Sequence, residues 1–350
     1  MVHNNDKNDF NPSGVGLKNG NFIGLPFTEE TAKIILVPVP WDVTVSFGEG
    51  TALAPLTILD ASTQLDLFDP DVKDAWKMGI FWRQEDQHIL EERNVLRPKA
   101  ALYIQFIEDG KSLDSNEIIK DLLNEINKKC EVVNSRIFQL TKKLLQQNKL
   151  VGLIGGDHSV PLGYLKALAE KHSEFGVLQI DAHHDLRSGY EGFTFSHASI
   201  FYNALKFDNI SKLVQVGIRD YCEEEVLMVE KEKDRITVFY DHYLKEMKYA
   251  GESWKSQCEA IISELPEKVY ISFDIDGLDP KLCPKTGTPV PGGLDFSETV
   301  YLLIKLVDSG RTIIGFDLCE TGNNEWDANV AARILYKLSN LMCKSNDMIR

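Results

Sequence analysis

Residues 150–185 have the sequence LVGLIGGDHSVPLGYLKALAEKHSEFGVLQIDAHHD. Two short apolar runs, Leu150–Ile154 and Gly176–Ile180, flank a segment from Pro161 to Lys171 that has the apolar spacing of a helix. Short, continuously apolar strands that alternate with amphipathic helices are typical of a parallel sheet covered on both faces. The stretch therefore predicts a strand, a helix and a second strand of an α/β fold.

The same alternation continues towards both ends of the chain. Further strands are predicted at Ile34–Pro38, Leu213–Gly217, Thr237–Tyr240, Val269–Phe273 and Thr312–Phe316, and further helices at about 115–147, 253–264, 297–308 and 327–343. We expect one α/β domain from residue 34 to residue 350, with three α/β/α layers around a mainly parallel central sheet. Residues 1–33 are expected to form an irregular arm, and residues 66–115 to hold loops and short helices.

The composition restricts the partners of the chain. With 38 Lys and Arg against 53 Asp and Glu, the formal net charge is -15. Such a charge repels nucleic acid and favours cationic ligands, although it also serves solubility. No apolar run is long enough for a membrane helix, and Met1–Pro12 lacks the features of a secretory signal. The six cysteines are scattered, so a reducing cytoplasm is expected. The charge and the lack of a long apolar run indicate that neither nucleic acid nor a membrane is a partner.

Three polar clusters begin where a predicted strand ends. They are Gly155-Gly-Asp-His-Ser159, Asp181-Ala-His-His-Asp185 and Asp274-Ile-Asp-Gly-Leu-Asp-Pro280. Ligands of open parallel sheets bind at this edge. The strands would bring six side chains together there: His158, Asp181, His183, Asp185, Asp274 and Asp276. Crowded carboxylates repel one another and raise their own pKa values unless cations neutralise them. Imidazole together with carboxylate suits Mn, Fe, Co, Ni or Zn. Each cluster alone could be a turn or a solvated loop, but their combination favours a metal site.

These motifs, in this order and spacing, resemble those of the ureohydrolases, the family of arginase, agmatinase and formiminoglutamase. The similarity runs from about Ile34 to Leu341 and includes the loop Thr286–Gly293. It implies an arginase-like fold with two divalent metal ions per chain, manganese or nickel. It also implies that one ion is held by His158, Asp181, Asp185 and Asp274, and the other by Asp181, His183, Asp274 and Asp276. A hydroxide between the metals would attack the guanidino carbon and release urea with an amine or ammonia.

The resemblance implies roles for three further side chains. Asp185 would also orient the hydroxide. Glu320 would hold the guanidinium by paired hydrogen bonds, and its alternative is an exposed acid at a strand end. His197, in Phe195-Ser-His-Ala-Ser199, would carry a proton to the leaving group, and its alternative is a buried packing residue. His184 stands at a position that varies among relatives, and it could line the pocket or pack.

The substrate is predicted from departures from better-known members of the family. Leu186–Phe193 replaces the polar segment by which arginases recognise an amino-acid head group, and Thr321–Asp327 replaces the usual Val-x-Pro after the glutamate. Trp326 could stack on a guanidinium and fill space, or it could pack on the last helix. Thr44 could add a hydroxyl group from the opposite loop. This combination resembles the agmatinase-like branch of the family that hydrolyses free guanidine. The resemblance implies free guanidine as substrate, with agmatine and then a guanidino acid as alternatives.

Two other classes of protein compete with this interpretation. Deacetylases with an arginase-like fold use a single zinc ion, and a non-catalytic family member would act by binding alone. The full set of six ligand residues argues against the first, and the presence of Glu320 and His197 argues against the second. The resemblance also implies a homotrimer or homohexamer.

Overall fold

The computed structural model of the protein describes residues 10–113 and 116–348. The strands are β1 (Ile34–Pro38), β2 (Ile80–Trp82), β3 (Leu150–Ile154), β4 (Phe175–Ile180), β5 (Ile210–Val216), β6 (Ile236–Phe239), β7 (Lys268–Asp274) and β8 (Thr312–Cys319). They form one sheet in the order β2-β1-β3-β8-β7-β4-β5-β6, and every pairing is parallel. Every strand predicted from an apolar run is confirmed.

Helices cover both faces of the sheet. They are α1 (Ala54–Ser62), α2 (Gln87–Glu108), α3 (Glu117–Gln146), α4 (Leu162–Lys171), α5 (Ile200–Ala204), α6 (Glu223–Lys231), α7 (Asp241–Tyr249), α8 (Trp254–Ser263), α9 (Phe296–Asp308) and α10 (Glu325–Ser345). Helices α2 to α5 form one continuous set of contacts, and α1, α10, α9 and α8 form another. The fold is therefore the expected three-layer α/β/α architecture with a parallel sheet.

The prediction of loops and short helices for residues 66–115 is confirmed for residues 66–79, which are irregular around a 3₁₀ turn at Ala75–Met78, but it was wrong for most of the rest. This part of the chain holds the edge strand β2 and the 22-residue helix α2. A three-residue strand is too short to show a period, and Pro98 inside α2 suggests a break where the helix continues. The helix is stabilised by a buried stripe that includes Leu96, Ala100 and Tyr103.

Helix α3 confirms the long helix predicted at about 115–147, although residue 115 lies outside the described residues. It begins after Asn116, whose side chain accepts from the backbone N–H of Ile119. Ile118 is 74% exposed, whereas Ile119 is buried. A buried face that includes Ile119, Ile126 and Val133 packs α3 against the molecule.

The polar clusters lie at the carboxyl ends of the central strands of the sheet. Strands β3, β8, β7 and β4 are consecutive neighbours, so their carboxyl ends share one edge. Close backbone approaches hold the loops there. A Cβ atom on Gly156 would lie 2.1 Å from the carbonyl oxygen of Trp41, and one on Gly277 would lie 2.6 Å from the backbone nitrogen of Asp181. Only glycine allows either approach.

Residues 10–33 are irregular apart from a 3₁₀ turn at Phe22–Gly24, which is buried in the core. The rest of the predicted arm, residues 1–9, lies outside the described residues. Between residues 10 and 348, apart from 114 and 115, no helix combines the length and the apolar character needed to cross a membrane.

Candidate metal centre

His158 faces three carboxylates from the other two motifs. Its Nδ1 lies 3.1 Å from Asp181 Oδ2, 3.0 Å from Asp185 Oδ2 and 3.3 Å from Asp274 Oδ2. All four side chains are buried, and Nδ1 has no hydrogen-bond partner. A buried nitrogen left without a hydrogen bond among carboxylate oxygens fits a cation ligand. The structure thus brings together the four residues predicted for the first metal.

A second group lies on the other side of Asp181. His183 Nδ1 is 3.1 Å from Asp276 Oδ2 and 3.6 Å from Asp181 Oδ1. The two oxygens of Asp181 therefore face different histidines, which is the arrangement needed for a carboxylate shared by two cations. Asp274 directs Oδ2 to His158, while its Oδ1 accepts from the backbone N–H of Asp276 at 2.8 Å. Five of the six predicted residues form two adjoining groups suited to divalent cations, and Asp274 adjoins the first group through His158.

The backbone places these side chains by ending strands abruptly. Asp181 follows the last residue of β4, and Asp274 ends β7 and begins a 3₁₀ turn, Ile275–Gly277. Asp185 and Glu320 have positive φ angles of 57° and 60°. Residues other than glycine rarely adopt this conformation, and strain of this kind concentrates at functional sites.

Without a bound cation, burial and the neighbouring charges favour the protonated forms of four groups in the cluster. Burial, followed by the charge of Asp181, raises the pKa of Asp185 to about 7. Burial and the neighbouring Asp276 likewise raise the pKa of Asp274 well above its usual value. Burial opposes the charge on His158 and His183, but the carboxylates around them outweigh it and raise both histidine pKa values. Cations would displace these protons.

A pH dependence of stability follows. A group whose pKa is raised in the folded state stabilises the fold at low pH and loses that contribution as pH rises through the folded pKa. For Asp185 the window runs from 3.8 to about 7. We expect metal-free protein to lose stability across this window and Mn²⁺ to restore it above pH 7. Melting temperatures with EDTA and with Mn²⁺ test this, and a metal-induced increase that shrinks as pH rises would contradict it.

Glu320 lies at the same edge, just after β8. Its Oε1 accepts from the backbone N–H of His158 at 2.9 Å, and Thr286 Oγ1 donates to its carbonyl oxygen at 2.7 Å. A Cβ atom on Gly287 would lie 2.7 Å from Oε2. Burial, then Asp157 and Asp276, raises the pKa of the carboxyl group well above its usual value. The side chain is 4% exposed, so the alternative of an exposed acid does not fit.

His197 and Thr44 lie against each other. His197 begins a 3₁₀ turn, His197–Ser199, directly before α5, and its ring interacts with the backbone of Thr44. Burial, followed by the charges of His183 and His158, lowers the pKa of His197 to about 4. Its imidazole is therefore neutral near pH 7. The Thr44 hydroxyl donates to Asp157 Oδ2 at 3.4 Å, so its described partner is another side chain of the protein.

His184 and Trp326 are placed differently from the metal residues. His184 is buried, with Nδ1 2.6 Å from Gln215 Oε1 and its ring packed on Tyr221 and Tyr240. These contacts favour packing over pocket lining. Trp326 is 52% exposed, and its Nε1 donates to the Lys281 carbonyl oxygen at 3.1 Å.

The sequence did not indicate the residues that hold the ring of His158 in place. Its Nε2 lies 2.9 Å from Ser272 Oγ, which donates to Asp317 Oδ2 at 2.7 Å. A partner on the second nitrogen fixes the ring orientation and leaves Nδ1 for a metal. A polar residue inside an otherwise apolar strand could have indicated such a role. Ser272 in β7, Asp317 in β8 and Gln179 in β4 are residues of this kind.

Comparisons with known proteins agree with this geometry. The sequence model described as "Arginase family" matches residues 32–339. An N(1)-aminopropylagmatine ureohydrolase of Thermus thermophilus is 30% identical over 309 residues, 88% of this chain and 89% of that protein. The agmatinase of Halalkalibacterium halodurans is 26% identical and covers 83% of this chain and 84% of its own length.

Solved structures show the same fold. The agmatine ureohydrolase of Thermoplasma volcanium aligns with a TM-score of 0.70 at 22% identity, covering 94% of this chain and 96% of that one. An arginase from Medicago truncatula aligns with a TM-score of 0.62 at 25% identity, covering 89% and 87%. The family match over most of the sequence shows that the chain belongs to the arginase family and is a hydrolase of guanidino C–N bonds.

Proposed function

We propose that the protein is a ureohydrolase of a linear guanidino amine of the agmatine type, acting with two divalent cations. The observation that carries the proposal is the pair of adjoining ligand groups that share Asp181. His158, Asp185 and Asp274 would complete one cation site, and His183, Asp276 and Asp274 the other. When bound, the cations supply Lewis acidity and a water whose pKa is low enough to act as a nucleophile near neutral pH.

The surrounding residues would position the substrate and move a proton. Glu320 would hold the planar guanidinium through its carboxylate, because a fork of N–H donors matches a carboxylate in geometry and charge. Asp185 would orient the attacking water. Neutral His197, held beside Thr44, would move a proton to the departing nitrogen. These roles explain why buried carboxylates and a neutral imidazole lie together at one edge of the sheet.

The names of the relatives favour agmatine and its derivatives over free guanidine, which had been the first expectation. Four of the relatives are named N(1)-aminopropylagmatine ureohydrolase, and others agmatinase. A cationic tail would also suit acidic residues near the metal groups. Asp220 is exposed and pairs its backbone with His183, and Glu224 accepts from Ser188, three residues after Asp185.

The substrate is tested by urea release from agmatine, N(1)-aminopropylagmatine, guanidinobutyrate, guanidine and arginine, with protein loaded separately with Mn²⁺ and Ni²⁺. We expect kcat/KM for an agmatine-type amine to exceed that for free guanidine by about 10-fold or more, about 1.4 kcal/mol of transition-state binding. A higher value for guanidine would contradict the proposal and restore the first expectation. The same preparations compare the two metals.

Trp326 supports a separate prediction. If its half-exposed indole stacks on the substrate, Trp326→Ala should raise KM about 2- to 5-fold and leave kcat unchanged, because an exposed cation–π contact contributes about 0.5–1 kcal/mol. Tyr249→Ala, which removes another exposed aromatic ring, is the control. An unchanged KM in Trp326→Ala would leave the indole with a packing role only.

Assembly, location and domain boundaries complete the proposal. We expect a homotrimer or homohexamer in the cytoplasm, with residues 34–350 as the catalytic domain and residues 1–33 as an arm whose Phe22, Ile23 and Leu25 pack into the core of that domain. Light scattering of the full chain tests the assembly. A monomer would contradict the oligomer.

A further inference from the structure

A line of hydrogen bonds between buried side chains leads from Asp181 through Gln179 in β4 and Gln215 in β5 to His184. Gln179 Nε2 donates to Asp181 Oδ2 at 2.8 Å, and Gln215 Nε2 donates to Gln179 Oε1 at 2.5 Å. Gln215 Oε1 lies 2.6 Å from His184 Nδ1, and Tyr240 Oη lies 3.5 Å from His184 Nε2. Asp181, Gln179, Gln215 and His184 are all fully buried. The ligand shared by both cation sites is thus linked to His184.

The partners fix the direction of every bond in this line. Gln179 Nε2 faces two acceptors, Asp181 Oδ2 and the His183 carbonyl oxygen, so it must be the amide nitrogen. Gln215 Nε2 likewise faces Gln179 Oε1 and the His184 carbonyl oxygen. Gln215 therefore presents Oε1 to His184, whose Nδ1 must carry the hydrogen. In a neutral ring Nε2 is then the acceptor for the Tyr240 hydroxyl.

All donors consequently point towards Asp181. Hydrogen bonds in a line with one direction polarise one another, and this line ends on a carboxylate oxygen. The other oxygen of Asp181 accepts from the backbone N–H of His183 at 2.7 Å. The carboxylate plane is thereby fixed from both sides, with Oδ2 towards His158 and Oδ1 towards His183.

We propose that His184 is a positioning residue for the metal centre, acting on Asp181 through Gln215 and Gln179. This inference rests on the proposed role of Asp181 as a ligand shared by two cations. His184 touches neither cation site through its ring. Its contribution is the Nδ1–H donor, which holds the Gln215 amide in the one orientation that leaves Gln179 free to donate to Asp181.

Two substitutions separate the donor from the shape of the ring. His184→Phe keeps a planar ring among Tyr221 and Tyr240 but removes the donor. His184→Asn loses the ring but places an amide N–H where Nδ1 stood, one bond from Cγ. Tyr336→Phe is the matched control, because it removes a buried hydroxyl that donates to the Leu67 carbonyl oxygen at 2.8 Å, away from this line.

Mn²⁺ titration of metal-free protein by calorimetry is the test. We expect His184→Phe to weaken Mn²⁺ binding about 10-fold, the lower end of the effect of losing a hydrogen-bond partner of a ligand, because two amides separate His184 from Asp181. At saturating Mn²⁺ its KM for agmatine should stay within about 2-fold of wild type. His184→Asn should bind Mn²⁺ within about 3-fold of wild type, and Tyr336→Phe should be unchanged.

Wild-type Mn²⁺ affinity in His184→Phe, or equal weakening in both His184 variants, would overturn the proposal. If His184→Phe does not fold, Gln215→Met breaks the same line at similar volume, and wild-type affinity there would also overturn it. The wild-type titration distinguishes failure of the proposed function from failure of the positioning role. Absence of two Mn²⁺ ions per wild-type chain would refute the proposed function, whereas a failure confined to the variants refutes the positioning role alone.

Discussion

Replacing Asp181 by alanine is expected to lower urea formation about 10³-fold or more and to reduce bound metal below two ions per chain. Asp181 faces His158 with one oxygen and His183 with the other, so its loss affects both ligand groups. Activation of water and charge stabilisation by metals contribute several kcal/mol to catalysis, and about 4 kcal/mol corresponds to 10³-fold in rate. Metal analysis and urea assays on the same preparation measure both effects.

Asp208→Ala is the control for this substitution, because Asp208 is an exposed aspartate in the loop between α5 and β5. It should keep both metals and wild-type activity. Near-ultraviolet circular dichroism of Asp181→Ala checks that the fold survives. A folded Asp181→Ala protein that retains two ions per chain and more than about a tenth of the activity would show that Asp181 is not a shared ligand.

Glu320→Gln is expected to lower kcat/KM about 10²- to 10³-fold without changing the metal content. The amide keeps an oxygen for the His158 N–H but loses the charge that would pair with a guanidinium. Hydrogen bonds to charged groups contribute about 1.5–3 kcal/mol each, so the loss of a paired interaction accounts for about 3–4 kcal/mol. Steady-state kinetics with agmatine, together with metal analysis, separates this effect from that of Asp181.

Glu320→Asp keeps the charge but draws the carboxylate back by one methylene group, so it should also lose activity while retaining both metals. A decrease of less than about 5-fold in Glu320→Gln would assign guanidinium recognition to another group. Loss of metal in Glu320→Gln would instead make Glu320 part of the metal centre.

The central sheet could be predicted because buried parallel strands are continuously apolar. Leu150–Ile154 and Ile34–Pro38 have the predicted bounds, and their residues are buried throughout. The edge strand β2 and the helix α2 could not be predicted in the same way, since β2 has only three residues and α2 carries Pro98 among charged residues. Tertiary packing rather than local pattern stabilises these elements.

The rim of the site could be predicted because strand ends converge, so Asp181, His183 and Asp274 were expected to meet. The supporting residues could not. Gln179, Ser272 and Asp317 are single polar residues inside apolar strands, and their role depends on which neighbouring strand carries the partner. Strand order is a property of the whole fold and is absent from any local pattern. The same limit left the packing of His184 undecided until its contact with Gln215 was known.

The central claim is that two divalent cations share Asp181 and that hydrolysis of a guanidino compound depends on both. The most direct measurement is a Mn²⁺ titration of metal-free protein, following bound metal by elemental analysis and urea release from agmatine in parallel samples. We predict two ions per chain, with activity developing as the second ion binds. Saturation at one ion per chain, or full urea release in the presence of EDTA, would contradict the claim.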